Sequence, residues 1–493
     1  MFTISQTGGD REAVASPGVT RRSIPPISWA AAAGWFLLSV TTFHVAYLTS
    51  ASWMVLLVPC SVMGLARLGS GRCAFYAGFA LGFAFYGPQL GFFWGIFGPA
   101  AIALWAVLAF WIGLFTGVAH GIHRAFGPRW ALVLVPFLWT GFEYFRSELY
   151  YLRFSWLNAG YALAWSGAWP LFHGLGIYGI GFVAAVAGSL VEYAQGWHRL
   201  AGPALAFAVL ILGRSGNEPA SAQGLSKTRI QVGGAQVESV VESEIPAILD
   251  RLLNTRHKLD LLVLPEYTLE GEPSESLRQW CRTQRKHLVV GGREPLGEGK
   301  FRNTAFVIDP QGEVVFRQTK SVPIQFFADG EPAKSQSLWH SPWGPLGIAI
   351  CYDLSYTRVI DQLVRLGALG LIIPTMDAAS WGRHQHAMHA RVAPARAAEY
   401  GLPIVRVASS GVSQIVDASG RVTASAPFSE QVETFFGELE LGGRGRLPWD
   451  RALAPFATFL AVLATLALVA SSARVRLRRR PAPSAKSLPV VDP

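Results

Sequence analysis

The chain has 493 residues, enough for two or three domains. It is 51% hydrophobic and only 15% charged, against about 25% charged residues in soluble domains, so a wholly water-exposed protein is excluded. The net charge of +10 is scattered over short loops and the C-terminus, which fits membrane topology rather than a groove tracking phosphates, and four cysteines make no disulfide framework.

Residues 1–25 are polar, carry Arg11, Arg21 and Arg22, and read as a disordered cytoplasmic tail. No small-residue cleavage site closely follows the first apolar segment, so the start is not read as a cleavable signal. Residues 26–213 then read as a seven-span membrane domain, with spans expected at 27–48, 51–66, 73–97, 98–120, 130–145, 170–193 and 197–213. Every second loop is basic: Arg67 and Arg72, Arg124 and Arg129, then Arg199. The first two intervening loops carry no Lys or Arg, so the N-terminus is inside by the positive-inside rule.

From 227 to 442 strand-like runs alternate with polar helical stretches, the pattern of a soluble α/β domain. A last apolar segment, 452–472, precedes "RVRLRRR" and a basic cytoplasmic tail over 473–493. Eight spans in all place the α/β domain outside the cytoplasm, between the seventh and the eighth. No internal repeat is apparent. A transporter with an attached domain is disfavoured, because the obvious ionisable cluster lies in a loop at a membrane face rather than within the spans.

Three chemically useful residues end strand-like runs: Glu266 after "LLVLP", Lys320 after "VVFRQT" and Cys351 after "IAI". Functional groups gather outside the carboxyl ends of strands. Taken singly, Glu266 and Lys320 read as solvated loop residues and Cys351 as a small core residue. Together they supply a nucleophile, a base for its proton and a cation for an oxyanion. His384, His386 and His389 share a helical stretch but lack the neighbours that complete a ligand set, so no metal and no other cofactor is expected.

The order Glu266, Lys320, Cys351, with "PE", "NTAFVIDPQGEVVFRQTK", "CYD" and "ARAAEYGLPIVRVASSGVSQIVDASGR", resembles the nitrilase (carbon–nitrogen hydrolase) superfamily over most of 228–441. The resemblance implies a four-layer α-β-β-α sandwich. It gives Glu266 the role of general base, Lys320 that of stabilising the tetrahedral intermediate, and Cys351 that of thioester-forming nucleophile. The backbone N–H of Tyr352 would complete the oxyanion hole. The membrane half, with "PFLWTGFEYFRSELYYLRFSWLNAGYALA" and "GLGIYGIGFVAAV", is similar to the apolipoprotein N-acyltransferase family. That similarity implies a phospholipid acyl donor, a diacylglyceryl-cysteine lipoprotein as acceptor, and a bacterial inner membrane with the catalytic domain on its outer side; no nucleic-acid partner is expected.

Two departures from the family pattern stand out. Asp353 stands two residues after the cysteine where a glutamate is usual, and "SVPIQFFADGEP" leaves the role of a second glutamate to Asp329 or Glu331. In the membrane half, Glu143 and Arg146 lie three apart on one helix face and read as an ion pair anchoring the following loop, or as a headgroup site. Trp139, Trp156 and Tyr161 either line a lipid entrance or belong to an interfacial aromatic belt. The expected architecture is a polytopic α-helical membrane domain joined to a nitrilase-like sandwich. The expected activity is acyl transfer, with a membrane-tethered amidase or a non-catalytic transporter or scaffold as alternatives.

Overall fold

The structure, a computed structural model, describes residues 25–214, 228–256 and 258–478. The expected N-terminal tail up to residue 24, and the basic tail from residue 479, lie outside the described residues.

An apolar segment in lipid must satisfy its own backbone, and helices result. They occupy Trp29–Leu48, Ser52–Leu65, Gly71–Gln89, Ala100–Phe126, Pro128–Tyr144, Trp169–Tyr193, Ala201–Arg214 and Asp450–Arg478. Among the described residues, five helical segments are long and apolar enough to cross a membrane: Trp29–Leu48, Ala100–Phe126, Trp169–Tyr193, Gly196–Gly213 and Asp450–Ser471. The last helix also runs to Arg478, past the start expected for the basic tail.

The third expected span, 73–97, is not one helix. It stops at Gln89, and a separate short helix, Phe92–Phe97, follows. Pro88 has no N–H for the Ala84 carbonyl, and that carbonyl instead takes a bond from His44 Nε2 at 2.9 Å, while Gln89 Nε2 meets His44 Nδ1 at 2.9 Å. The break is thus stabilised by a histidine from another helix.

The second half has twelve strands: β1 (Thr228–Gln236), β2 (Leu261–Val263), β3 (His287–Gly297), β4 (Lys300–Ile308), β5 (Val314–Thr319), β6 (Leu338–Ser341), β7 (Gly344–Ile348), β8 (Gly370–Thr375), β9 (Ile404–Ala408), β10 (Ser413–Val416), β11 (Val422–Ala426) and β12 (Glu433–Leu441). They form two six-stranded sheets, ordered β12-β1-β2-β3-β4-β5 and β11-β10-β9-β8-β7-β6. Each sheet has three parallel strands in its middle, flanked by one antiparallel strand on one side and two on the other. The two halves of the domain therefore repeat one strand plan.

Strand alternation builds the layers. Leu261 and Val263 point into the core between the sheets, whereas Leu262 and Leu264 join Leu249, Leu252, Leu277 and Trp280 beneath the helices Ile245–Thr255 and Glu275–Gln284. The helices Thr357–Leu366 and Val392–Tyr400 belong to the other half of the domain.

A buried ionic network joins the domain to the membrane helices. Arg451, at the start of the last helix, meets Asp361 at 2.8 Å and Glu399 at 3.2 Å, and Glu399 also holds Arg396 at 2.5 Å. The helix Trp169–Tyr193 is interrupted at Gly176, where φ is +76° and a Cβ would lie 2.3 Å from the Asp450 carboxylate. The interruption frees two N–H groups: Ile177 donates to Glu399 at 3.1 Å and Tyr178 to Asp450 at 2.9 Å.

Candidate active site

Glu266, Lys320 and Cys351 converge at one end of the stacked sheets. β2 leads into Pro265–Glu266, and this segment lies so close to β3 that a Cβ on Gly291 would sit 2.5 Å from the Glu266 Cα. Glu266 Oε1 accepts from Lys320 Nζ at 2.8 Å and from Asn303 Nδ2 at 2.5 Å, and its Oε2 accepts from the Met376 N–H at 2.7 Å. Lys320 follows β5 and also contacts Asp329 Oδ2 at 2.7 Å. Cys351 lies just beyond β7, at the start of a short turn of helix, Cys351–Ser355, with φ at +50°. A non-glycine residue in that region carries strain of about 1–3 kcal/mol. Its thiol donates to the Met376 carbonyl at 3.6 Å.

The electrostatics favour a charged lysine beside a protonated thiol. Burial works to lower the Lys320 pKa, but the Glu266 and Asp329 carboxylates outweigh it and hold the ammonium well above its ordinary value. Burial pushes the Cys351 thiol well up, Glu266 adds to this, and Lys320 opposes both. Burial also raises Glu266, against the pull of Lys320.

The two departures noted in the sequence acquire a geometry. Asp353 is fully buried and accepts from the N–H groups of Ser321 (3.0 Å), Val322 (2.7 Å) and Ile350 (3.2 Å). It therefore ties the chain after the lysine to the turn that carries the cysteine. Burial raises its pKa to about 6, opposed by Lys320 and by those N–H groups. Asp329 is buried in the cluster, bonded to Tyr267 Oη at 2.6 Å, Asn303 Nδ2 at 3.0 Å and the Ile324 N–H at 2.7 Å. Glu331, the other candidate, is exposed.

Cys351 opens into a cleft of about 840 Å³ between the domain and the membrane helices. Its walls include Phe93, Phe97, Leu104 and Leu108 from the membrane half, with Ile324 and Phe327 from the loop after Lys320. Trp156 lines it too, fixed by a bond from its Nε1 to Ser355 Oγ at 2.9 Å. Tyr352 lines the same cleft, and its hydroxyl donates to the Arg153 carbonyl at 3.1 Å.

The other residues suggested for a lipid entrance lie elsewhere. Trp139, Glu143 and Arg146 line a second cavity, of about 540 Å³, among the membrane helices. Tyr161 is buried beneath the Arg396 guanidinium. An aromatic belt does not describe Trp139, Trp156 or Tyr161, which are 9%, 6% and 1% exposed and therefore packed inside the protein. Nor do Glu143 and Arg146 form the expected ion pair. Arg146 is drawn to the Phe154 carbonyl at 3.0 Å and Asn158 Oδ1 at 2.7 Å, and Glu143 accepts from the Ala159 N–H at 3.4 Å. Both still anchor the loop, but separately.

Sequence reasoning missed Asn303, which bridges Glu266 and Asp329, and Asp377, which receives His389 Nδ1 at 2.7 Å and Arg406 Nη2 at 2.5 Å. The signal for Asn303 was a polar residue just ahead of the apolar run Ala305–Ile308 of β4, at a position the strand buries. His384 instead meets the Gln89 carbonyl at 2.9 Å, and His386 stacks on Phe428 with centroids 4.7 Å apart.

A sandwich with these three groups at its strand ends defines a class, and residues 228–445 match the carbon-nitrogen hydrolase family. Residues 22–190 match the apolipoprotein N-acyltransferase N-terminal domain. Similar proteins include the apolipoprotein N-acyltransferases of Geobacter metallireducens (25% identical, covering 75% of this chain and 82% of the relative) and of Shewanella oneidensis (24% identical, covering 71% and 77%). An omega-amidase of Xenopus laevis, NIT2-B, is 28% identical over 34% of this chain and 68% of its own length. With both halves matched, the chain belongs to the apolipoprotein N-acyltransferases of the nitrilase superfamily.

Proposed function

We propose that Cys351 takes a fatty acyl chain from a membrane phospholipid as a thioester and passes it to the N-terminal amine of a diacylglyceryl-cysteine lipoprotein. The observation that carries this reading is the cleft, whose one wall is the catalytic cysteine and whose other is apolar membrane helix. A hydrolase of small polar amides has no use for such a wall.

In the first step Glu266 accepts the thiol proton as Cys351 Sγ attacks the ester carbonyl carbon. Because burial favours the neutral thiol, Cys351 needs Glu266 to take its proton for attack. Lys320 and the Tyr352 N–H stabilise the oxyanion. The C–O bond breaks, Glu266 returns the proton to the leaving oxygen, and lysophospholipid departs. In the second step the amine nitrogen bonds to the acyl carbon, the C–S bond breaks, and Glu266 carries the nitrogen's proton to the sulfur. Asp329 serves as the second carboxylate by keeping Lys320 charged, and Asp353 positions the loop between them.

Eight spans, with the domain at 227–442 outside the cytoplasm and basic tails inside, put the cleft at the outer face of a bacterial inner membrane. Arg67, Arg124 and Arg199 between spans support that orientation. Mass spectrometry of a lipoprotein N-terminus, from cells in which this chain is the sole such enzyme, tests the function. A third acyl chain on the amine is expected, and its presence unchanged with Cys351→Ala would sink the reading.

A further inference from the structure

An α-amino group has an ordinary pKa of about 7.7–8.0, so near neutrality most acceptor arrives as ammonium, with no lone pair for attack. Glu266 accounts for the proton lost after the nitrogen has bonded to carbon. The proton that must leave beforehand needs another base, and among the described residues lining the cleft there is no carboxylate.

His389 meets the requirement. It lines the cleft together with Cys351 and is 2% exposed. Its Nδ1 lies 2.7 Å from Asp377 Oδ1, and its ring stacks on Trp156 at 4.5 Å between centroids and 16° between planes. Arg406 Nη2 also lies 3.1 Å from Nδ1, but the shorter contact is to a carboxylate oxygen, which can only accept; Nδ1 therefore donates to Asp377, and Nε2 carries the lone pair. Asp377 is itself fixed by Arg406 Nη2 at 2.5 Å and Gln385 Nε2 at 3.2 Å. It directly follows Met376, whose carbonyl receives the Cys351 thiol, so the dyad stands next to the nucleophile.

We propose that His389 Nε2 accepts a proton from the acceptor's ammonium group before the amine attacks the thioester, with Asp377 orienting the ring. This rests on the acyltransferase reading above. One N–H bond of the ammonium breaks and its electron pair becomes the nitrogen lone pair. The proton resides on His389 as imidazolium beside the Asp377 carboxylate, and is released to water after transfer. The second nitrogen proton follows the Glu266 route already described.

Burial lowers the His389 pKa, with Asp377 opposing and Arg406 reinforcing the effect, so the ring rests neutral and ready to accept. The charged and titratable groups around it are Asp377, Arg406 and His386, with Arg153, Cys351 and Tyr352 across the cleft.

The test separates the two half-reactions in the full-length, detergent-solubilised protein. The acyl-enzyme is formed with a defined phospholipid and then mixed with a synthetic peptide bearing an N-terminal diacylglyceryl-cysteine, from pH 6 to 9. His389→Asn keeps an N–H donor for Asp377 and removes Nε2; His389→Gln is the second variant. The expected result is acyl-enzyme formation within about threefold of the parent. Aminolysis should be slower by about 15- to 30-fold near pH 6.5, the inverse of the free-amine fraction there, with the deficit shrinking above pH 8 as the amine frees itself. Aminolysis at the parental rate, a deficit equal at all pH values, or an equal loss in both steps would each overturn the proposal. Failure of the parent itself to form an acyl-enzyme would instead overturn the acyltransferase reading, and this inference with it.

Discussion

Glu266 and Cys351 hold one residue from its two sides: Met376 gives its N–H to Glu266 Oε2 at 2.7 Å and receives the Cys351 thiol on its carbonyl at 3.6 Å. The residue after β8 thus spaces the proposed base from the proposed nucleophile, and the carboxylate is aimed by an N–H that only an acceptor can meet. Glu266→Gln keeps the size but makes the residue unable to take a proton. Single-turnover acylation should fall by about 10²–10⁴-fold, with the protein still folded by its unfolding midpoint.

Asp329 and Glu331 should separate cleanly. Asp329→Asn removes one of two charges that hold Lys320, a buried ammonium, and leaves Tyr267 and Ile324 with a weaker acceptor. Acyl transfer should drop by at least about tenfold, since charge-assisted bonds are roughly twice as strong as neutral ones. Glu331→Gln, on an exposed side chain, should transfer at the parental rate in the same assay.

Asp353 gives a signed pH effect. Its pKa rises from an ordinary 3.8 to about 6 on folding. The folded state therefore binds more protons than the unfolded state in that window, and this group's contribution is full below 3.8 and lost as pH rises through about 6. Asp353→Asn does not ionise and still offers an oxygen to Val322. Thermal unfolding from pH 4 to 7 should show a flatter decline than the parent, while Asp353→Ala, leaving three N–H groups unpaired, should be less stable throughout.

The network at the last helix is a fourth test. Arg451→Ala leaves Asp361, Asp450 and Glu399 without their shared cation. Removing one partner from a buried ionic cluster costs about 3–5 kcal/mol, so the unfolding midpoint should fall. Limited proteolysis should then cut between the sandwich and the final helix, where the parent resists.

Much of this was legible in the sequence, and the rest depended on distant partners. Glu266, Lys320 and Cys351 could be read because each closes an apolar run. Asn303 could not, because it lies in the polar first half of β4, between Arg302 and Thr304, and its role exists only once Glu266 and Asp329 flank it. Asp329 and Glu331 lie in a loop without periodicity, and only the contacts of Asp329 with Tyr267 and Lys320 set the two side chains apart. Asp377 and His389 were separated from Cys351 by β8 and the turn that follows it. The break after Gln89 needed His44, 45 residues away. The shared strand plan of the two sheets is a property of hydrogen-bond order, which similar halves can keep with dissimilar side chains.

A thioester on Cys351 changes the mass of the protein, so intact mass spectrometry of the purified chain reads it out. Incubated with a phospholipid of one defined chain and no acceptor, the parent should gain the mass of one acyl group. Cys351→Ala should gain nothing, and hydroxylamine should remove the added mass. A parent whose mass stays unchanged, or an adduct that survives in Cys351→Ala, would contradict the thioester mechanism.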